Sequence, residues 1–200
     1  MQLRVLTWSP RSGGSECGSP EELAVALDRF DCDVAALRDV PARWPALAAR
    51  RSLAEYRQSP PRRRPIWRRL GSAGRGGATT AVIARRDRLI DDRLQQWSRR
   101  RLLGVRLACG LWVVVLDTAA GERPAARADG QQAARAALGW SEGGAVVLAL
   151  PQPADPPPPG FVPAAAGAGA QLLLAGPVEP VRAATDPRGA LILDLRLDTA

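Results

Sequence analysis

The sequence contains no histidine, no asparagine and no lysine, so all 28 of its basic residues are arginines. These absences exclude mechanisms that depend on a histidine base or metal ligand, a lysine Schiff base or a catalytic asparagine. Three cysteines, Cys17, Cys32 and Cys109, are too few and too scattered for a disulfide framework or a zinc site. We therefore expect reduced thiols in a cytoplasmic protein.

Long hydrophobic runs are also missing. No apolar run reaches the ~20 residues that a membrane-spanning helix needs. The first residues, MQLRVLTW, lack the apolar segment of a signal peptide, so we expect neither feature. A length of 200 residues with 46% hydrophobic content instead indicates a single domain over residues 1–200. A chain of this size buries about 70% of its unfolded surface.

Positive charge is concentrated in the middle of the chain. Between Arg43 and Arg106 there are 18 arginines and four acids, whereas acids outnumber arginines elsewhere. A second, shorter cluster spans residues 99–101, and the densest stretch contains Arg62, Arg63, Arg64, Trp67, Arg68 and Arg69. Arginine beside tryptophan suits phosphate contacts and base stacking, so this stretch is a candidate site for nucleic acid or another polyanion. The alternative is an ordinary solvated surface in a chain that has no lysine.

Hydrophobic periodicity predicts strands that are mixed with helices. Ser19, followed by Pro20, Glu21 and Glu22, is typical of a helix N-terminus. The Arg/Gly/Pro-rich segment 59–77 and the Pro-rich segment 151–163 are predicted loops. Helices are predicted at 20–30, 42–56 and 130–140, and strands at 2–8, 33–40, 79–84, 101–107, 111–117, 145–150, 171–175 and 190–197. Such a mixture, with a strand near each terminus and a hairpin around Cys109, indicates an α/β sandwich.

Five short motifs carry a resemblance to a known family, and they occur in the order LTWS (6–9), DVAALRDV (33–40), LDT (116–118), LALPQP (148–153) and TDPR (185–188). They resemble, in order and spacing, the TWN, DVxxLQEV, THL, GDFN and SDH motifs of the endonuclease/exonuclease/phosphatase superfamily. The resemblance covers nearly the whole chain. It implies the deoxyribonuclease-I-like fold, a four-layer α/β sandwich of two mixed β-sheets flanked by helices. Family members are usually longer, so we expect a shortened version.

The resemblance also implies where the chemistry would lie. The family hydrolyses phosphate esters with Mg²⁺ or a similar hard cation, which carboxylates hold. Asp39 stands where the family has its metal-binding glutamate, and Asp186 is kept as the aspartate that orients the last histidine. The remaining positions differ: Ser9 replaces an asparagine, Asp117 a histidine, Pro151 the water-activating aspartate, Pro153 an asparagine and Pro187 the last histidine.

These replacements predict a catalytically inactive relative of metal-dependent phosphodiesterases and phosphatases, with no cofactor required. Losing one general acid or base costs about 10²–10⁴ in rate, and losing one transition-state donor costs about 10²–10³. Asp39 and Asp186 are the candidates for a weak Mg²⁺ site, the alternative being that they are solvated or paired with Arg38 and Arg188. Two other functions stay open: residual metal-dependent phosphoester hydrolysis, and a protein-interaction module that docks a partner through the segment 151–163.

Overall fold

The computed structural model describes residues 1–10, 17, 19–60, 78–85, 87–97, 100–117, 127–152, 154–167 and 170–198. Within these ranges the helices are α1 (Pro20–Phe30), α2 (Trp44–Arg51) and α3 (Arg127–Ser141). The strands are β1 (Gln2–Trp8), β2 (Val34–Pro41), β3 (Glu55–Gln58), β4 (Ala78–Ala84), β5 (Leu89–Trp97), β6 (Arg100–Leu107), β7 (Trp112–Asp117), β8 (Val146–Leu150), β9 (Val162–Gly167), β10 (Ala170–Ala175), β11 (Val178–Thr185) and β12 (Leu191–Leu197). None of these helices is long and apolar enough to cross a membrane.

The strands form two six-stranded mixed sheets. Sheet 1 has the order β11-β12-β1-β2-β4-β3, and sheet 2 has the order β5-β6-β7-β8-β10-β9. Each sheet contains one parallel pair at its centre, β1 with β2 and β7 with β8, and its other described neighbours are antiparallel. Both parallel pairs therefore bring the carboxyl ends of two adjacent strands to one edge of their sheet.

Three apolar clusters stack these elements in four layers. The inner cluster fills the space between the sheets with side chains from both, such as Val34 and Ala36 of β2 and Val113 and Val115 of β7. Alternate side chains of sheet 1 pack against α1 and α2, and those of sheet 2 pack against α3. This arrangement confirms the predicted sandwich of two mixed sheets flanked by helices.

Two local predictions are confirmed in detail. α1 begins where its cap predicts, because the Ser19 hydroxyl accepts a hydrogen bond from the Glu22 backbone N–H at 3.1 Å and Pro20 occupies the first turn. The hairpin between β6 and β7 turns at Gly110, whose φ of 90° is a conformation that glycine adopts without strain.

Two other predictions are wrong. The helix predicted over 42–56 ends at Arg51, because Leu53 takes a φ of 51° and the chain then pairs with β4 as the edge strand β3. The loop predicted over 151–163 ends early, since Val162 and Pro163 begin β9, an edge strand in which proline is tolerated. The predicted loop 59–77 lies outside the described residues from position 61 onward.

Candidate functional site

The predicted site residues lie where strands of both sheets end. Ser9 follows β1, Asp39 lies near the end of β2, Asp117 is the last residue of β7 and Pro151 follows β8. β12 runs antiparallel to β1, which brings the turn containing Asp186 to the same end of sheet 1. The sheets pack face to face through the inner cluster, so this end is also one end of the space between them.

β2 contains a bulge at Arg38 and Asp39. The register against β4 shifts between Leu37 and Val40, so Arg38 and Asp39 together face a single residue of β4. Asp39 takes a φ of 54°, which aspartate tolerates better than most residues. Leu37 and Val40 both pack on the helix side, whereas Arg38 continues the inward positions 34 and 36. Arg38 therefore lies in the space between the sheets by the regular alternation of β2, and the bulge returns Val40, rather than Asp39, to the helix side.

Arg38 is the central charged group of this region. It is only 7% exposed, and this burial lowers the pKa of its guanidinium to about 10. The nearby carboxylates of Asp39 and Asp117 act in the opposite direction. A pKa of about 10 leaves Arg38 charged at neutral pH. Its Nε atom is buried and has no hydrogen-bond partner within the described part of the chain.

Other polar groups share this space with Arg38. Asp117 is 3% exposed and lies directly opposite Arg101 of β6 in the strand register. Arg101 also donates a hydrogen bond to the backbone carbonyl of Pro60, which follows β3 of sheet 1. Thr7 and Thr80 continue the inward-facing series of β1 and β4, and their hydroxyl oxygens are buried without a partner among the described residues. We call the region formed by Thr7, Arg38, Thr80 and Asp117 the polar end.

Asp186 and Pro187 form the hairpin turn before β12. The Asp186 carboxylate accepts a hydrogen bond from the backbone N–H of Arg188 at 2.8 Å, as aspartates in turns commonly do. The Trp8 indole N–H donates to the Arg188 carbonyl at 3.3 Å, which fastens the turn to the end of β1 beside the buried Ser9. The side chain of Asp186 is therefore hydrogen-bonded to the backbone of Arg188. The Pro187 side chain is exposed.

A divalent cation fits these residues poorly. Among the described residues, no group of three or more His, Cys, Asp and Glu side chains could hold a metal ion, so Asp39, Asp117 and Asp186 do not form such a group. The guanidinium of Arg38 adds a fixed positive charge beside two of these carboxylates. The weak site at Asp39 and Asp186 stays a prediction.

The position predicted to activate water is occupied by a proline. Pro151 is buried where β8 ends, and a proline side chain has no polar atom that could orient or deprotonate water. Pro153, the other predicted proline of this motif, lies outside the described residues.

The densest basic stretch, with Arg62, Arg63, Arg64, Trp67, Arg68 and Arg69, also lies outside the described residues, so its binding role stays a prediction. Arg100 of the second cluster has a structural role instead, because it and the Trp97 indole N–H both donate to the Asp129 carboxylate of α3, at 3.0 and 3.2 Å. Other arginines of the basic region form ion pairs, namely Arg57 with Asp92, Arg85 with Asp28 and Arg93 with Asp91.

Sequence reasoning named Arg38 only as an alternative partner for Asp39 and Arg101 only as part of the basic cluster 99–101, and it did not single out Thr7 or Thr80. A signal for Arg38 was present. Strand 33–40 alternates, and positions 34, 36 and 38 share one face, so an arginine at 38 was predictable as an inward-facing charge. The approach of Asp117 was not predictable in this way, because it depends on how two sheets pack.

No family model and no curated protein matches the chain, but solved structures do. An endonuclease/exonuclease/phosphatase family protein from Bacteroides thetaiotaomicron is similar over 100% of this chain and 99% of its own, with a TM-score of 0.72 and 7% identity. TDP2 from D. rerio, complexed with a single-strand DNA product, is similar over 98% and 99%, with a TM-score of 0.67 and 10% identity. The human Nocturnin catalytic domain with a bound sulfate anion is similar over 98% and 94%, with a TM-score of 0.64 and 11% identity. The chain therefore has the deoxyribonuclease-I-like fold of the endonuclease/exonuclease/phosphatase superfamily, as its motifs predict.

Proposed function

We propose that this protein is a catalytically inactive member of the endonuclease/exonuclease/phosphatase superfamily that binds an anionic partner through its arginine-rich region. Pro151 carries the first half of the proposal. It is buried at the end of β8, where the motif of the family has the aspartate that activates water. Because proline accepts no proton, this loss alone costs about 10²–10⁴ in rate.

The Asp186 turn supports the same conclusion. Its carboxylate is kept, but its role in the family is to orient a histidine, and Pro187 stands in that place. The carboxylate instead accepts the backbone N–H of Arg188 within its own turn. Where the family has an aspartate–histidine pair, this chain therefore has an aspartate whose carboxylate stabilises a turn.

The anionic partner is supported by charge and by the structural neighbours. The region from Arg43 to Arg106 carries 18 arginines against four acids. Four of its described arginines, at 57, 85, 93 and 100, are each paired with a carboxylate. We assign the binding to Arg62–Arg64 and Arg68–Arg69, where the arginines are densest in the sequence. Proteins of this fold have been solved with a DNA product and with sulfate, both of which are anionic.

The catalytic half is tested by incubating the purified protein with bis-p-nitrophenyl phosphate and with plasmid DNA, in Mg²⁺ and in Mn²⁺. We expect no hydrolysis above that of a mock purification. Metal-dependent hydrolysis that follows the protein through purification and is lost in Asp39→Ala would refute inactivity and favour the residual hydrolase.

The binding half is tested with a fluorescent single-stranded oligonucleotide over a series of salt concentrations. We expect R62E/R63E/R64E to weaken binding and to reduce the slope of log K against log salt by about 2, since each lost phosphate contact contributes about 0.7. The matched control is R29E/R135E/R182E, which reverses three exposed arginines outside the basic region. Equal weakening by both triple variants would show that only net charge matters.

The Pro-rich segment is not part of this proposal, because three of its residues pack into the protein's own core. Pro151 and Pro158 are buried, and the Pro158 carbonyl accepts a hydrogen bond from the Phe161 N–H at 3.1 Å. Phe161 in turn belongs to the apolar cluster beneath α3. A partner that binds an extended proline helix would have to displace these contacts.

A further inference from the structure

The fold implies a divalent cation near Asp39, yet the polar end already contains a positive charge. Arg38 is more than nine-tenths buried, and its unpartnered Nε lies within the space that Asp117 also faces. The inner cluster fixes this placement, since Val34 and Ala36 precede Arg38 on the inward face of β2 and Val113 and Val115 precede Asp117 on that of β7. A divalent ion here would meet a guanidinium that cannot lose its charge near neutral pH.

We propose that the guanidinium of Arg38 is the resident cation of the polar end and keeps a divalent ion out, so that removing its charge turns Asp39 and Asp117 into a divalent-cation site. The inference deepens the proposed function and rests on it. It assigns a role to a buried arginine whose Nε is not satisfied within the described chain, and it locates the block to metal binding at one residue.

The surrounding atoms define the class of cation. Among the described residues, the polar groups near Arg38 are the carboxylates of Asp39 and Asp117, which act on its charge, and the buried hydroxyls of Thr7 and Thr80, all of them oxygen ligands. Oxygen ligands favour hard cations such as Mg²⁺, Mn²⁺ and Ca²⁺, which bind through one or two carboxylates and complete their shells with neutral oxygens and water.

The informative variant is Arg38→Gln. Glutamine removes the charge and adds a neutral amide oxygen, and it is the residue that the family motif DVxxLQEV has at this place. Arg38→Lys is the matched control, because it changes the same side chain but keeps a positive charge. Arg101, which lies opposite Asp117, is unchanged in both variants, so its effect cancels in the comparison.

Each protein is titrated with Mn²⁺ and with Ca²⁺ by calorimetry, and its thermal unfolding is followed with and without the ion. We expect R38Q to bind one ion and its Tm to rise by about 5–10 °C at an ion concentration about 100 times Kd. The wild type and R38K should show neither effect, and R38Q/D117N should lose the binding. A response of R38Q equal to that of the wild type would overturn the inference.

The outcome remains decisive if R38Q is unstable. If R38Q folds only in the presence of the ion, the folded variant binds the ion, and this result supports the inference. If it folds in neither condition, the test moves to the wild type, where Mn²⁺ binding that Asp117→Asn removes would overturn the inference and its absence would support it. If the wild type is inactive and R38Q does not bind the ion, only this inference is refuted. Metal-dependent hydrolysis by the wild type would refute the proposed function.

Discussion

Replacing Arg38 with methionine measures what the buried charge does for stability. Burial lowers the pKa of Arg38 to about 10, so the folded state disfavours the charged form of the guanidinium. Because the folded pKa is the lower one, this penalty is present below pH 10 and is relieved as the pH rises above about 10. The charge therefore costs stability at neutral pH, even after the favourable effect of Asp39 and Asp117.

Arg38→Met removes that cost but also removes the positive charge that acts on the carboxylates of Asp39 and Asp117. Removing one partner of a buried ion pair in direct contact lowers the free energy of unfolding by about 3–5 kcal/mol. We expect a loss of no more than about 3 kcal/mol, because Asp39 is only half-buried and Arg38 acts on both carboxylates through its field. In R38M/D39N/D117N the uncompensated charge disappears as well, so its stability should equal or exceed that of the wild type. Asparagine tolerates the left-handed backbone at position 39, so the bulge is kept.

The assay is urea unfolding at neutral pH, followed by tryptophan fluorescence and by circular dichroism. The slopes of the transitions should agree among the three proteins, so that midpoints report free energies. A single variant as stable as the wild type would show that Arg38 does not serve as the counterion of these carboxylates. A triple variant as unstable as the single one would show that the loss comes from packing of the guanidinium rather than from charge.

Two further predictions concern packing and a thiol. Gly104→Ala should destabilise the protein by about 1–3 kcal/mol, because a Cβ there would lie 2.5 Å from the Trp140 ring. Gly139→Ala should stabilise the protein by about 0.5–1 kcal/mol, because Gly139 lies within α3 and a Cβ there would meet open space. Thermal unfolding of the two variants measures both effects and so tests how closely α3 packs on sheet 2. Burial and then Asp87 raise the pKa of Cys109 to about 11, so Asp87→Asn should speed its alkylation by iodoacetamide at neutral pH, measured by mass spectrometry. An unchanged rate would contradict that role of Asp87.

Position within the sheet decided which strands the sequence predicts. The eight predicted strands are the eight inner strands of the two sheets, and the four that periodicity missed, β3, β5, β9 and β11, are the four edges. Inner strands have a partner on each side and bury at least one face, so they leave runs of apolar residues. β11 exposes every residue after Val178, and β5 carries Asp91, Asp92 and Arg93, so neither leaves an apolar alternation to detect.

The candidate site was predictable in its positions but not in its contacts. The motifs placed Asp39, Asp117 and Asp186 at strand ends, and the structure has them there. The bulge that follows Leu37 and returns Val40 to the helix side depends on pairing with β4, which lies some forty residues later in the chain. The engagement of Asp186 by the Arg188 backbone depends on the turn that Asp186 and Ala190 close before β12. Tertiary pairing, rather than local preference, therefore decided which carboxylates meet a positive charge.

The polar end poses the question of why a fold keeps a charge that costs it stability. The inner cluster is otherwise built from aliphatic side chains such as Val5, Val82 and Leu193, and these need no help from Arg38 to hold the sheets together. In the catalytically inactive protein that we propose, the charge has no hydrolysis to assist, because Pro151 and Pro187 stand where the family motifs have acid–base groups. What remains is electrostatic: two carboxylates that lie beside an arginine attract divalent ions far less than two carboxylates alone. A cation titration of R38Q against R38K therefore addresses the function of this end more directly than any assay of turnover.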